Sequence, residues 1–137
     1  RTVTGMAVSL FDRAEALLRP AGIVARVAEA DMDAVTALSG SGPAYVFLLV
    51  GLLLAAAAGF GLDADTARGL VIATVAGAAK LLDETGLDPR EARRRVTSEK
   101  GTTDAAIRTM EARDVPAALR EAFDAARRRA AELSGAA

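Results

Sequence analysis

From Ala34 through Leu62 the chain carries no charged residue. A helix without a polar face is buried on every side, either in a bilayer or inside protein. This run contains Gly40, Gly42, Pro43 and Gly51, so its helical part is shorter than a comfortable membrane span. It ends in alanines, where a membrane anchor more often carries tryptophan or basic residues. Burial inside protein is the favoured reading, and no membrane partner is expected. One domain of 137 residues is too small to surround such a helix by itself, so a second subunit is expected to cover it.

The rest of the composition points the same way. Hydrophobic residues make up 52% and aromatic residues only 4%. Alanine, the best helix former, dominates, and aromatic content this low is poor for a sheet protein. An all-α domain is expected. Cysteine and histidine are both absent, which removes thiolate metal sites, disulfides and the usual general base. No metal is expected, and any proton transfer falls to carboxylate, lysine, tyrosine, threonine or water. The net charge of -1 and the mixing of signs leave no nucleic-acid footprint. The runs Arg93-Arg94-Arg95 and Arg127-Arg128-Arg129 have acids nearby, namely Glu91, Asp124 and Glu132. They read as a solvated or inter-subunit face in preference to a phosphate-binding stripe.

Residues 1–8 are short and partly β-branched, which suggests an extended segment. Ser9-Leu10-Phe11-Asp12 resembles a capping box, and Leu10, Ala14, Leu17 and Leu18 then recur at helical spacing. Arg19-Pro20-Ala21-Gly22 ends that helix, and Ile23–Val27 reads as a strand. Pro43 suits a first helical position, with a helix over about 44–58. Asp63 caps the next helix, which runs to about Thr85 with Gly86 beyond its end. Its face of Leu70, Thr74, Gly77, Ala78 and Leu81 is lined by small side chains that admit another helix closely. Asp88-Pro89-Arg90-Glu91 combines an N-cap, a proline and an acid at one helix start. Further helices span about 103–113 and 114–133. No Gly-x-Gly-x-x-Gly follows a strand, and there is no P-loop or nucleophile elbow.

Between Val96 and Ile107 lies a different kind of signal. A polar turn follows the arginine-rich helix, Gly101 lets the backbone turn tightly because it has no Cβ to clash, and Thr102 and Thr103 open a new helix as favoured capping residues. A helix N-terminus with free amides, two hydroxyls and a partial positive charge suits a carboxylate or phosphate. On these residues alone, a plain helix cap explains the same pattern.

The order Val96-Thr97-Ser98-x-x-Gly101-Thr102-Thr103-x-x-Ala106-Ile107 resembles the signature loop of pyrroline-5-carboxylate reductases. Met32 to Tyr45, with its Ser39-Gly40-Ser41-Gly42-Pro43-Ala44-Tyr45 run, is a second match. Gly77-Ala78-Ala79-Lys80 is a third. The matches follow the family's order at similar spacing over nearly the whole chain.

The resemblance implies a mainly α fold, a helical bundle that interlocks with a second subunit. It is preceded by a strand–helix–strand remnant of a Rossmann-type dinucleotide-binding domain. Residues 1–31 are then the tail of that cofactor domain, whose body would lie upstream of Arg1, and residues 32–137 are the all-α dimerisation and substrate-binding domain. The implied reaction is reduction of 1-pyrroline-5-carboxylate to L-proline, the last step of proline biosynthesis, by hydride from NADPH or NADH. The implied location is cytoplasmic, and the implied assembly is a homodimer or a higher oligomer.

Site residues follow from the same resemblance. Ser98, Gly101, Thr102 and Thr103 would bind the substrate, with backbone amides around Gly101, Thr102 and Thr103 gripping the carboxylate. The Thr103 hydroxyl would meet the ring nitrogen as the catalytic contact. Val96 would face the nicotinamide, the rest of the cofactor being held outside this chain. The Ser39–Pro43 run lies near the pocket in the family, or serves only as a helix-start turn. The family loop commonly reads Ser-Pro-Gly-Gly where this chain has Ser98-Glu99-Lys100-Gly101, a departure that loosens the loop. An alternative is a non-catalytic all-α dimerisation module of the same ancestry, inactive in either case without a cofactor domain.

Overall fold

A computed structural model of the chain describes residues 2–135, with side chains described for residues 10–135. The chain divides between Met32 and Asp33 into two compact units. The first contains helix α1 (Thr2–Leu18), a single 3-10 turn over Arg19–Ala21, and a stretch without regular structure up to Ala28. No strand occurs among the described residues, so the expected Rossmann strand remnant is absent. Residues 2–8, expected to be extended, are helical, and Ser9 lies inside α1 instead of capping it. Arg1 lies outside the described residues. The physical reason is that a strand draws its hydrogen bonds from a neighbour. Where none is present, the β-branched residues near the N-terminus satisfy their backbone within a helix instead. Ile23–Val27 lacks ladder partners in the same way. Within this unit Arg26 closes on α1 through Glu15 at 2.6 Å and Asp12 at 2.5 Å.

A 3-10 turn at Glu29–Asp31 closes the first unit. α2 (Met32–Val35) begins at the division, and in the second unit, which is mainly helical, a π-helical segment follows over Thr36–Gly40. Its wide turn is marked by the bond from the Ser41 amide to the Thr36 carbonyl, 2.9 Å. Then come α3 (Gly42–Gly59), α4 (Ala64–Thr85), α5 (Pro89–Arg95), α6 (Thr102–Ala112) and α7 (Val115–Ser134). α3 packs on α4, α6 on α7, and α7 on the π-helical segment. Tyr45 ties the last of these together: its hydroxyl donates to the Ala37 carbonyl at 3.0 Å, and its ring meets Phe123 at 5.1 Å.

Local chemistry places the helix ends. The Asp63 carboxylate accepts from the Thr66 amide at 3.0 Å, and that of Asp88 accepts from the Arg90 amide at 2.8 Å. Each such cap is worth about 1 kcal/mol. Gly86 ends α4 at φ 62°, the left-handed conformation that glycine adopts freely.

What the unit lacks is a core of large side chains. Among the described residues only Ala37, Ala57 and Ala67 are buried hydrophobics. Phe47, Leu48 and Leu52 on α3 are 72%, 64% and 60% exposed. The continuous helical stretch Glu29–Gly59, 31 residues, is long and apolar enough to cross a membrane by length and composition alone.

Candidate functional site

The residues singled out between Val96 and Thr103 form one turn joining α5 to α6. α5 is held at its start by Asp88. At its end Arg94 and Arg95 both pair with Glu91, at 2.7 and 2.8 Å. The two guanidiniums, Arg94 foremost, hold the Glu91 carboxyl at about 2. The Thr97 hydroxyl donates to the Arg93 carbonyl at 2.7 Å and finishes the helix. The backbone then reverses through Ser98–Gly101, closed by the Gly101 amide donating to the Ser98 carbonyl at 3.0 Å.

Lys100 occupies the third position of this turn with φ 59°. A positive φ there is the mark of a type II turn, which favours proline at the second position and glycine at the third. The family's usual Pro-Gly pair therefore falls where the geometry asks for it. In this chain Glu99 and Lys100 stand in those places, and a side chain in the left-handed region costs roughly 1 kcal/mol. Gly101 matters for a different reason. Its own φ is an ordinary −81°, but a Cβ there would collide with the Ser98 hydroxyl oxygen and sit 3.1 Å from the Ser98 carbonyl oxygen. Ser98 and Gly101 are thus in direct contact.

The helix start differs from expectation by one residue. Gly101, not a threonine, is the N-cap, and no side chain caps α6. Thr102 and Thr103 are the first two helical residues, and their hydroxyls do not close on the backbone. Among the described residues nothing accepts from the Thr102 or Thr103 amide. The first intrahelical bond runs from the Ala105 amide to the Gly101 carbonyl, 3.1 Å. Free amides and the positive end of the helix dipole therefore converge on the turn. Thr103 is half-buried, whereas Thr102, Ser98 and Val96 are exposed, Val96 by 70%. The turn brings Ser98, Gly101, Thr102 and Thr103 together. Val96 lies at its base with an open apolar side chain.

Sequence reasoning missed Asp104. Its carboxylate reaches back to the Lys100 amide at 3.3 Å and also accepts from Arg108 at 3.1 Å. The signal in the sequence is an acid at the third helical position, half of a capping box, which the adjacent Thr102-Thr103 pair masks because threonine is itself a favoured cap. A cleft of about 630 Å³ beside the turn is lined by Arg90, Arg93, Arg94, Arg108, Asp104 and Glu111, among others. Three of its four arginines are paired: Arg93 meets Glu111 at 3.5 Å, Arg94 meets Glu91 at 2.7 Å and Arg108 meets Asp104 at 3.1 Å. The arginine run here is a solvated face largely neutralised by its own neighbours.

Neither nicotinamide dinucleotide finds a phosphate cradle among these residues. Among the described residues no helix opens on a glycine-rich turn after a strand, and Val96 offers only apolar surface.

Residues 29–133 match the family described as pyrroline-5-carboxylate reductase dimerisation. A pyrroline-5-carboxylate reductase of Corynebacterium melassecola is 44% identical over 123 residues, covering 90% of this chain and 46% of that protein. The solved structure of a pyrroline-5-carboxylate reductase from Coxiella burnetii superimposes with a TM-score of 0.85 at 39% identity, over 91% of this chain and 47% of that one. A pyrroline carboxylate reductase of Plasmodium falciparum, solved with NADP bound, gives a TM-score of 0.76 at 28% identity, over 80% of this chain and 44% of that one. The chain thus spans about half the length of the relatives it matches.

Proposed function

This chain belongs to the pyrroline-5-carboxylate reductase dimerisation family, and from that premise we propose that it supplies the subunit contact and the substrate-carboxylate turn of a reductase acting on 1-pyrroline-5-carboxylate. The observation that carries the reading is the pair of unclaimed amides at Thr102 and Thr103, set beside the Thr103 hydroxyl. A cyclic imino acid offers two handles that fit this pair: an anion for the amides and a ring nitrogen for the hydroxyl. The nicotinamide cofactor supplies the hydride when bound, and its phosphates are held outside the residues described here.

The residues of the turn bind and orient. Gly101, by admitting Ser98 into contact, sets the path of the backbone that aims the amides. The Thr103 hydroxyl holds a hydrogen bond at the ring nitrogen and steadies its charge as reduction proceeds. Val96 covers one side of the pocket with apolar surface. A second copy of the chain covers α3 and its neighbours, forming the homodimer.

The test uses the full-length protein and follows oxidation of NADPH or NADH with 1-pyrroline-5-carboxylate. Thr103→Ala is expected to lower kcat/KM about 10- to 100-fold, the loss of one hydrogen bond to a charged group. Wild-type kinetics in that variant would remove Thr103 from the reaction. No turnover by the wild-type protein, with proline and cyclic carboxylates failing to bind, would favour the non-catalytic dimerisation module.

A further inference from the structure

The departure at Glu99-Lys100 leaves a turn that lacks both residues suited to its geometry, yet the turn is formed. We propose that Asp104 is a positioning residue for the substrate turn, latching Lys100 in the left-handed conformation that aligns the Thr102 and Thr103 amides. Three observations meet here. Lys100 has φ 59° at the position where a type II turn favours glycine. The Lys100 amide donates to one carboxylate oxygen of Asp104 at 3.3 Å. The other oxygen of that carboxylate accepts from Arg108 Nε at 3.1 Å, and the Asp104 side chain is only 21% exposed.

The carboxylate is therefore used from both sides. Arg108, one helical turn further along α6, fixes its direction, and the other oxygen accepts from the Lys100 amide. The latch offsets what a lysine loses at positive φ, and it couples the turn to the helix whose first amides form the anion site. The same negative charge lies at the end of α6 where a substrate anion would dock, so it also opposes that anion. The bond to Arg108 weakens this opposition. The proposal is that alignment outweighs repulsion. It rests on the substrate reading given above as far as catalysis is concerned, while the latch itself is a property of the chain.

The experiment compares Asp104→Ala with Asp104→Asn in the full-length protein, read by steady-state kinetics and by amide exchange at Lys100 and Gly101. Asparagine keeps an acceptor oxygen and loses the charge; alanine loses both. With Asp104→Ala, KM for 1-pyrroline-5-carboxylate is expected to rise about 3- to 10-fold with kcat within twofold, as for loss of one net hydrogen bond. Exchange at Lys100 and Gly101 rises by a similar factor. With Asp104→Asn, both stay within about threefold of wild type. Two results overturn the proposal: exchange at Lys100 and Gly101 unaltered by alanine, or a KM lowered equally by alanine and asparagine, which would make repulsion the larger effect. If the wild-type protein turns over no substrate, the substrate reading fails, and the exchange measurement still decides the latch.

Discussion

α3 and the α5–turn–α6 segment solve opposite problems. α5 and α6 carry their complements with them: Asp88 caps the first, Glu91 gathers Arg94 and Arg95, and Asp104 holds both Lys100 and Arg108. α3 carries none. Its side chains from Val46 to Leu52 are apolar and mostly exposed, and the one buried residue it contributes is Ala57. Packing on α4 covers part of its circumference and leaves the rest facing water. A segment completed by charge and capping depends on its neighbours in sequence, and a segment completed by burial depends on another chain. The two should therefore fail separately, assembly through α3 and ligand binding through the turn.

The largest effect is expected at α3. Leu52→Asp sets a charge on the apolar face, and in the proposed homodimer twofold symmetry would place it in the interface twice. Each lost leucine removes about 2 kcal/mol of burial before the cost of the unpaired carboxylate is added. The variant is expected to run as a monomer or aggregate in sedimentation without detergent, with Tm lower by more than about 10 °C. A dimer that persists at micromolar concentration would place the interface elsewhere. A wild-type protein that sediments only with detergent would instead favour a bilayer around Glu29–Gly59.

A smaller and more local effect is expected at Gly101. Gly101→Ala drives a Cβ into the Ser98 hydroxyl oxygen and close to its carbonyl. The hydroxyl can rotate away; the carbonyl cannot move without opening the turn. A destabilisation of about 1–3 kcal/mol is expected, together with weakened binding of proline and an unchanged dimer. Loss of the dimer in this variant would show that the two regions are coupled, contrary to the comparison above.

What could be read in advance follows the same division. The caps at Asp63 and Asp88 and the glycine at 86 are decisions of a few adjacent residues, and they lie where pattern alone puts them. The need of α3 for a partner follows from its lack of charge. Ile23–Val27 could not be read, because being a strand depends on a neighbouring strand that composition cannot reveal. Lys100 was hidden for another reason. Lysine seldom adopts positive φ, so nothing in its identity announces the turn, and only the family's Pro-Gly at the same place hints at it. The start of α6 was misjudged by one residue because threonine is the better capping side chain, while contact with Ser98 demanded glycine.

The smallest effect separates the regions by pH. In the folded chain the Glu91 carboxyl lies at about 2, against an ordinary 4.5, held down by Arg94 and then Arg95. A carboxyl depressed by folding contributes stability above its unfolded value and loses it as protons bind both states. The contribution of Glu91 is therefore complete above about pH 4.5 and fades between there and about pH 2. Glu15, lowered by Arg26 and Arg19, and Asp63, lowered by the Thr66 contact, titrate in the same direction. Glu91→Gln should accordingly flatten only part of the fall in Tm on acidification. The part is small because these pairs are exposed and screened, and it should shrink further in high salt. Above pH 5 the variant should bind proline normally and keep its dimer, since neither α3 nor the free amides of α6 involve this carboxylate. A Glu91→Gln protein with the wild-type slope from pH 4.5 to 2 would show that the Arg94–Arg95 clamp adds nothing to stability and that α5 is held by its Asp88 cap alone.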